Sequence, residues 1–243
     1  MKLSSSTVGS GPRHVGLVHG LGGNGATWQP LVDCMLATGE FTVTTLDLRG
    51  HGHSDRAPSY SLSELADDVV ETLPHGLNSV VGHSLGGAVL LRAVGRLVPG
   101  RAIYLDPGFH LALPTTGIGG RLFWLAPLLS LGIAQIPQAR RGAKARAGYT
   151  PEIRRSLEHA TEQFDAKMAI GIFREVAFHP IGITPPEVAS TVLLSDDSPA
   201  VLPDTVATAL ADQRWDIQRL AGIHHDMQVE DPARVFERIR DLL

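Results

Sequence analysis

The sequence predicts an α/β protein built on a mostly parallel, doubly wound sheet with one inserted helical cap. Three observations carry this expectation. From His14 to Leu105, short apolar runs rich in β-branched residues alternate with segments of helical period. From Pro107 to about Glu187 the alternation stops, and the reading is helical with proline and glycine punctuation. Near Thr191 the alternation resumes. Runs that are apolar on both faces suit parallel strands covered by helices on either side.

Strands are expected at His14 to His19, Phe41 to Leu46, Asn78 to Gly82 and Arg101 to Leu105. Helices are expected at Ala26 to Ala37, Ser61 to Leu73 and Ser84 to Leu97. The second of these helices opens with Ser61 and Glu64 at capping-box spacing. Beyond the break, strands are expected at Thr191 to Ser195 and Trp215 to Leu220, with helices at Pro203 to Asp212 and Asp231 to Leu243. The core is therefore assigned to residues 1–106 and 188–243, and the cap to 107–187. Helices are expected in the cap at Pro151 to Ala160 and Phe164 to Phe178. An insertion between two parallel strands lies where it can cover the carboxyl edge of the sheet.

Composition narrows the function. The chain has 243 residues, 43% of them hydrophobic, which is enough to fill a sheet covered on both faces. A formal net charge of −4 provides no basic field for nucleic acid or an anionic membrane, so the expected partner is a small molecule. The single cysteine, Cys34, excludes an intrachain disulfide, and Met1 to Arg13 lacks a signal-peptide apolar core. Ile118 to Ile136 is apolar but interrupted by Arg121, Pro127 and glycines, so it reads as a buried or lid element. A cytoplasmic enzyme is the simplest placement. The oligomeric state is not specified.

The chemistry is concentrated in turns. Gly82-His83-Ser84-Leu85-Gly86 fits Gly-x-Ser-x-Gly between an expected strand and an expected helix, the setting of a nucleophile elbow. The glycines permit a tight turn that would leave the Ser84 hydroxyl exposed at the sheet edge, with a helix N-terminus behind it. His19-Gly20-Leu21-Gly22-Gly23 forms a second Gly-rich turn after the first strand. The backbone amides of Leu21 and Leu85 are the candidate oxyanion donors. Eleven histidines compete to be the general base. His225 is favoured because it lies between the last strand and the last helix, at the same edge as the elbow, with His224 as the neighbouring alternative. His19, His51, His53 and His83 read as turn residues that cap backbone groups. His51 and His53 lack the Cys, Asp or Glu cluster that a metal site needs, so no metal is expected.

In this order the motifs resemble the α/β-hydrolase family over nearly the whole chain. The resemblance rests on the His19 turn, Asp47-x-Arg49-Gly50-His51-Gly52-x-Ser54, the Ser84 elbow, and Gly222-x-x-His225 followed by Glu230-Asp231-Pro232. It implies a serine, histidine and acid mechanism, an inserted cap and no cofactor. It also gives the Asp47 to Ser54 segment a structural role beneath the site. Two departures stand out. Few residues precede the first core strand, so the leading antiparallel strands of relatives should be truncated or absent. The acid is the other departure. Relatives usually place it before a proline in the loop after the strand that follows the cap, where this chain has Ser195-Asp196-Asp197-Ser198-Pro199. A second family arrangement puts the acid at the end of the strand after the elbow helix, where Asp106 stands. Asp106 is the preferred candidate, with Asp197 the alternative and Asp196 third.

The expected reaction is hydrolysis of a carboxylic ester, lactone or thioester of a small, largely apolar substrate through an acyl-enzyme. Carbon–carbon bond hydrolysis, perhydrolysis and acyl transfer use the same three residues and stay open, as does a non-catalytic ligand-sensing fold. Phe109, Phe123 and Trp124, within the apolar early cap, are the candidate substrate contacts. Arg140, Arg141, Lys144 and Arg146 form a basic run that reads as a solvated loop.

Overall fold

In the computed structural model, which describes residues 1–110, 113–125 and 143–243, the described strands form one seven-stranded sheet. In chain order they are β1 (Ser5–Gly9), β2 (Arg13–Val18), β3 (Phe41–Leu46), β4 (Ser79–His83), β5 (Arg101–Leu105), β6 (Ser190–Leu194) and β7 (Asp216–Arg219). Their order across the sheet is β1-β3-β2-β4-β5-β6-β7, and every pairing is parallel except β1 with β3. The expected fold class is therefore the one observed.

Helices cover both faces: α1 (Gln29–Leu36), α2 (Leu62–Thr72), α3 (Leu85–Leu97), α7 (Asp204–Asp212) and α9 (Pro232–Ile239), the last preceded by the short α8 (Met227–Glu230). Alternation along β4 shows why its residues are apolar throughout. Val80 packs with Leu65 and Leu90 in the core against α2 and α3, while Val81 packs with Leu31 and Val235 in the core against α1 and α9. The capping box at Ser61 and Glu64 is formed and starts α2 one residue later.

Between β5 and β6 lie α4 (Gly117–Leu125), α5 (Pro151–Glu162) and α6 (Lys167–Phe178). α6 is tied to the core by polar contacts at its start and in its third turn. The Asp165 amide donates to the Gly50 carbonyl at 2.8 Å, the Tyr60 hydroxyl to Asp165 at 2.8 Å, and the Leu62 amide to Glu175 at 2.8 Å. Of the apolar cap residues and the basic run, Leu111, Leu128, Leu129, Arg140 and Arg141 lie outside the described residues. Among the described residues no helix is long and apolar enough to cross a membrane.

The leading antiparallel strands, expected to be truncated or absent, are reduced among the described residues to one short strand: β1 pairs antiparallel with β3 along its whole length. It is an edge strand exposed at all five positions, so it has no buried face to impose an apolar alternation, and Ser and Thr suffice.

The Asp47 to Ser54 loop is fixed by buried charge. Arg49 Nε and Nη2 donate to the two oxygens of Asp68 on α2 at 2.5 and 2.9 Å, and Arg49 also lies 3.2 Å from Glu64. The Asp68 side chain is 1% exposed. Removing one partner of such a pair leaves an uncompensated buried charge, which costs about 3–5 kcal/mol. Because Glu64 remains, Asp68→Asn is expected to cost about 3 kcal/mol, at the low end of that range. Urea unfolding with an unchanged m-value would measure it, and a loss within experimental error would remove the pair from the list of structural anchors.

Candidate active site

Ser84 occupies the turn between β4 and α3 at φ 51° and ψ −115°, a conformation that costs a non-glycine residue about 1–3 kcal/mol. Such strain persists only where the surroundings over-determine it. Here they do. The Ser84 amide donates to the Leu105 carbonyl at 3.0 Å, and the Ser84 carbonyl accepts from Gly87 at 3.0 Å and Gly108 at 2.9 Å. The flanking glycines are sterically required: a Cβ at Gly82 would stand 2.7 Å from the Gly86 carbonyl oxygen, and one at Gly86 would stand 2.1 Å from that of Val18.

Ser84, Leu21, Leu85 and His225 all line one cavity of about 470 Å³. Leu85 opens α3, so its amide has no intrahelical acceptor. Among the described residues the Leu21 amide has no backbone acceptor either.

Asp106, directly after β5, is fully buried and also sits at positive φ, 40°. His225 Nδ1 lies 3.1 Å from Asp106 Oδ2. The carboxylate also accepts from the Ser195 amide at 2.7 Å, from the Ser198 hydroxyl at 2.6 Å and from the Ser195 hydroxyl. Burial alone would raise its pKa, but the hydrogen bond and charge of His225 and the two serine hydroxyls hold it below the ordinary value. Burial likewise acts to lower the His225 pKa. The hydrogen bond and charge of Asp106, helped by Asp226 and Asp197, overcome it and raise the group above 6.5.

The other acid candidates are placed differently. Asp197 lines the cavity, while Asp196 accepts the Gly222 amide at 2.9 Å and so anchors the histidine loop. His224 turns toward Glu230, its Nδ1 2.9 Å from that carboxylate. Ser198, where the family resemblance led an acid to be expected, donates to Asp106. The sequence signal was that departure itself, although the partner could not be read from it.

Three of the four turn histidines act as struts through their rings. His19 Nδ1 donates to the Gly20 carbonyl at 2.7 Å, and Nε2 accepts the Leu48 amide at 3.0 Å. His51 Nδ1 donates to the Arg49 carbonyl at 3.2 Å, and Nε2 accepts the Gly22 amide at 3.1 Å. His83 Nε2 donates to the His225 carbonyl at 2.9 Å. His53 contributes its backbone amide, which donates to Asp47 at 2.8 Å. Asp47 also accepts the Gly25 amide at 2.7 Å, so the His19 turn is braced from beneath.

The expected cap contacts are not in the cavity wall. Phe109 is buried against Tyr104 and Trp215, because the chain turns back into the core immediately after Asp106. Phe123 and Trp124 pack on each other, and Trp124 packs on Phe178 and donates to the Pro114 carbonyl at 2.8 Å. The wall facing Ser84 is instead Tyr149 with Ile172, Phe173 and Val176 of α6. The sequence led a helix to be expected at Phe164 to Phe178, but nothing local told its inner face from ordinary core. Arg146 is not simply solvated: it pairs with Asp226 at 2.9 Å at the cavity wall.

This fold and this arrangement of turns define an α/β hydrolase. The model of the alpha/beta hydrolase family matches residues 17–238, and the chain belongs to that family. It is similar to the pimeloyl-[acyl-carrier protein] methyl ester esterases of Methylococcus capsulatus (42% identity over 100 residues, 41% of this chain) and Vibrio atlanticus (31% over 165 residues, 67% of this chain). The matched stretches span 37% and 55% of those relatives' own lengths. Among solved structures, a thermophilic esterase from Thermogutta terrifontis aligns with a TM-score of 0.75 at 21% identity, covering 99% of this chain and 92% of that one.

The struts make stability pH-dependent. Burial lowers His19 and His83 to about 4 and His51 to about 3, all below the ordinary 6.5. Between those values the unfolded chain binds more protons than the fold, so stability rises with pH. That contribution is fully present above about 6.5 and is lost as pH falls through about 4. His225 and His224, both raised above 6.5, run the opposite way, but they are two groups against three. The urea midpoint is therefore expected to fall steadily from about pH 7 to about pH 4.5. A flat profile would mean these imidazoles are not held neutral.

Proposed function

We propose that the protein hydrolyses a carboxylic ester whose larger half is apolar, through an acyl-enzyme on Ser84. The observation that carries this reading is the buried Asp106 bonded to His225 Nδ1 beside a strained serine that opens on the same cavity. The ester chemistry in the names of the two relatives supports the same substrate class. Lactones and thioesters are the neighbouring substrates for this chemistry.

In the first half-reaction Ser84 Oγ bonds to the ester carbonyl carbon while its proton passes to His225 Nε2. The carbon–oxygen bond to the alcohol then breaks, and His225 returns the proton to the departing oxygen. In the second half-reaction water attacks the acyl carbon and gives a proton to His225, which returns it to Ser84 as the acid leaves. The Leu21 and Leu85 amides hold the oxyanion, each contributing about 3 kcal/mol. Asp106 orients His225 and stabilises its imidazolium without taking the proton. Residues 107–187 serve as the cap, with α6 supplying the apolar ceiling.

A fluorophosphonate should label Ser84 covalently, and Ser84→Ala should abolish both labelling and hydrolysis of p-nitrophenyl esters. Residual turnover within about tenfold of the wild type would place the nucleophile elsewhere. Asp106→Asn should reduce kcat by at least about a hundredfold, and Asp197→Asn by less than about tenfold. The reverse ranking would reassign the acid.

His225 must be neutral to accept the proton, and Asp106 raises its pKa above 6.5. The kcat/KM profile should therefore rise with pH through a midpoint above 6.5, and the midpoint should move down in Asp106→Asn. A midpoint that ignores this substitution would separate His225 from the rate.

A further inference from the structure

The cap reaches the catalytic loop through side chains other than the apolar ceiling. Arg146 lines the large cavity and a smaller compartment of about 140 Å³, and Ser84 and His225 border both. Arg146 Nε and Nη2 donate to the same oxygen of Asp226, at 3.1 and 2.9 Å. Asp226 is the residue directly after His225. Three residues beyond Arg146, the Tyr149 hydroxyl lies 3.5 Å from Glu230, which accepts the His224 amide at 2.9 Å. The stretch from Arg146 to Tyr149 is thus seated on the short loop that carries His225.

The two ends of the ion pair differ in their surroundings. The Arg146 side chain is 49% exposed, so the pair adds little to stability. The Asp226 side chain is 18% exposed, and a carboxylate with so little water around it acts strongly on its neighbours. Burial works to raise its pKa, but Arg146 above all, with His83 and His225, holds it below the ordinary value. Asp226 is therefore charged at neutral pH.

His225 is faced by charge from several elements. Asp106 bonds its Nδ1 from the end of β5, and the His83 ring of β4 stands 4.8 Å away. Asp197 acts from the turn after β6, and Asp226 from the loop itself. Burial lowers the His225 pKa, while the three carboxylates raise it. Asp106 has to do so because it holds the ring. Asp226 does not hold the ring, and its charge alone would make His225 harder to deprotonate. Arg146 fixes that carboxylate by one oxygen and offsets its charge.

Resting on the acyl-enzyme reading above, we propose that Arg146 is a positioning residue for the reaction: by holding and offsetting Asp226 it keeps His225 available as a base. The cap then supplies part of the proton-transfer machinery as well as a ceiling.

The test is the pH profile of kcat/KM on p-nitrophenyl butyrate. The quantity read is the ratio of kcat/KM at about pH 6 to its value on the high-pH plateau, which reports the His225 midpoint and not the height of the profile. Arg146→Met should lower this ratio by about threefold, and Asp226→Asn should raise it by a similar factor. Arg146→Lys keeps the charge and should return the ratio to within about twofold of the wild type. In an Asp226→Asn background the half-exposed Arg146 has lost its anchor and is screened by water. There Arg146→Met should have less than about half its effect on the logarithm of the ratio.

An unchanged ratio in Arg146→Met overturns the proposal, because the pair would then only brace the cap. The same change in both backgrounds also overturns it, since Arg146 would act without Asp226. If Asp226→Asn does not fold, Arg146→Met and Arg146→Lys decide the matter by the change and its reversal. Failure of the serine-esterase reading looks different: fluorophosphonate would leave Ser84 unlabelled, and the midpoint would ignore Asp106→Asn.

Discussion

The Asp106 carboxylate is the constraint on which the rest of the site depends. It has no exposure, and a charge without water is expensive unless donors replace the solvent. The donors come from separate parts of the chain: Ser195 and Ser198 from the turn after β6, and His225 from the loop after β7. One buried charge therefore sets the positions of three strand ends relative to one another. Asp196 adds a second tie by accepting the Gly222 amide at the start of the histidine loop. Through the Leu105 carbonyl, the residue before Asp106 also holds the Ser84 amide, so the carboxylate and the strained serine share a strand end.

What could be read from the sequence follows from this arrangement. The sheet was legible because its central strands are buried on both faces, which forces continuous apolar runs such as Val80-Val81. The elbow was legible because its glycines answer to close backbone approach, a local requirement. β1 was not, since an exposed edge strand needs no apolar face. The acid was only half legible. Ser198 marked the usual position as altered, but whether Asp106 or Asp197 meets His225 depends on the relative height of strand ends, and no local pattern records that. The cap's inner face was illegible for a similar reason. Phe123 and Ile172 are both apolar residues on helices, and only the packing of α6 onto the core assigns the cavity wall to Ile172.

His83 and His225 show how environment divides identical side chains between roles. Their rings are 4.8 Å apart, and burial works to lower the pKa of each. They nevertheless depart from 6.5 in opposite directions. His225 has a carboxylate on Nδ1, so its charged form gains a partner. His83 has a carbonyl on one nitrogen and a neutral amide beside the other, so its charged form gains little and is also repelled by a protonated His225. Two adjacent imidazoles with separated pKa values cannot compete for one proton. In the proposed reaction the proton from Ser84 therefore has a single destination. His83, fixed as neutral, is left to support the His225 backbone.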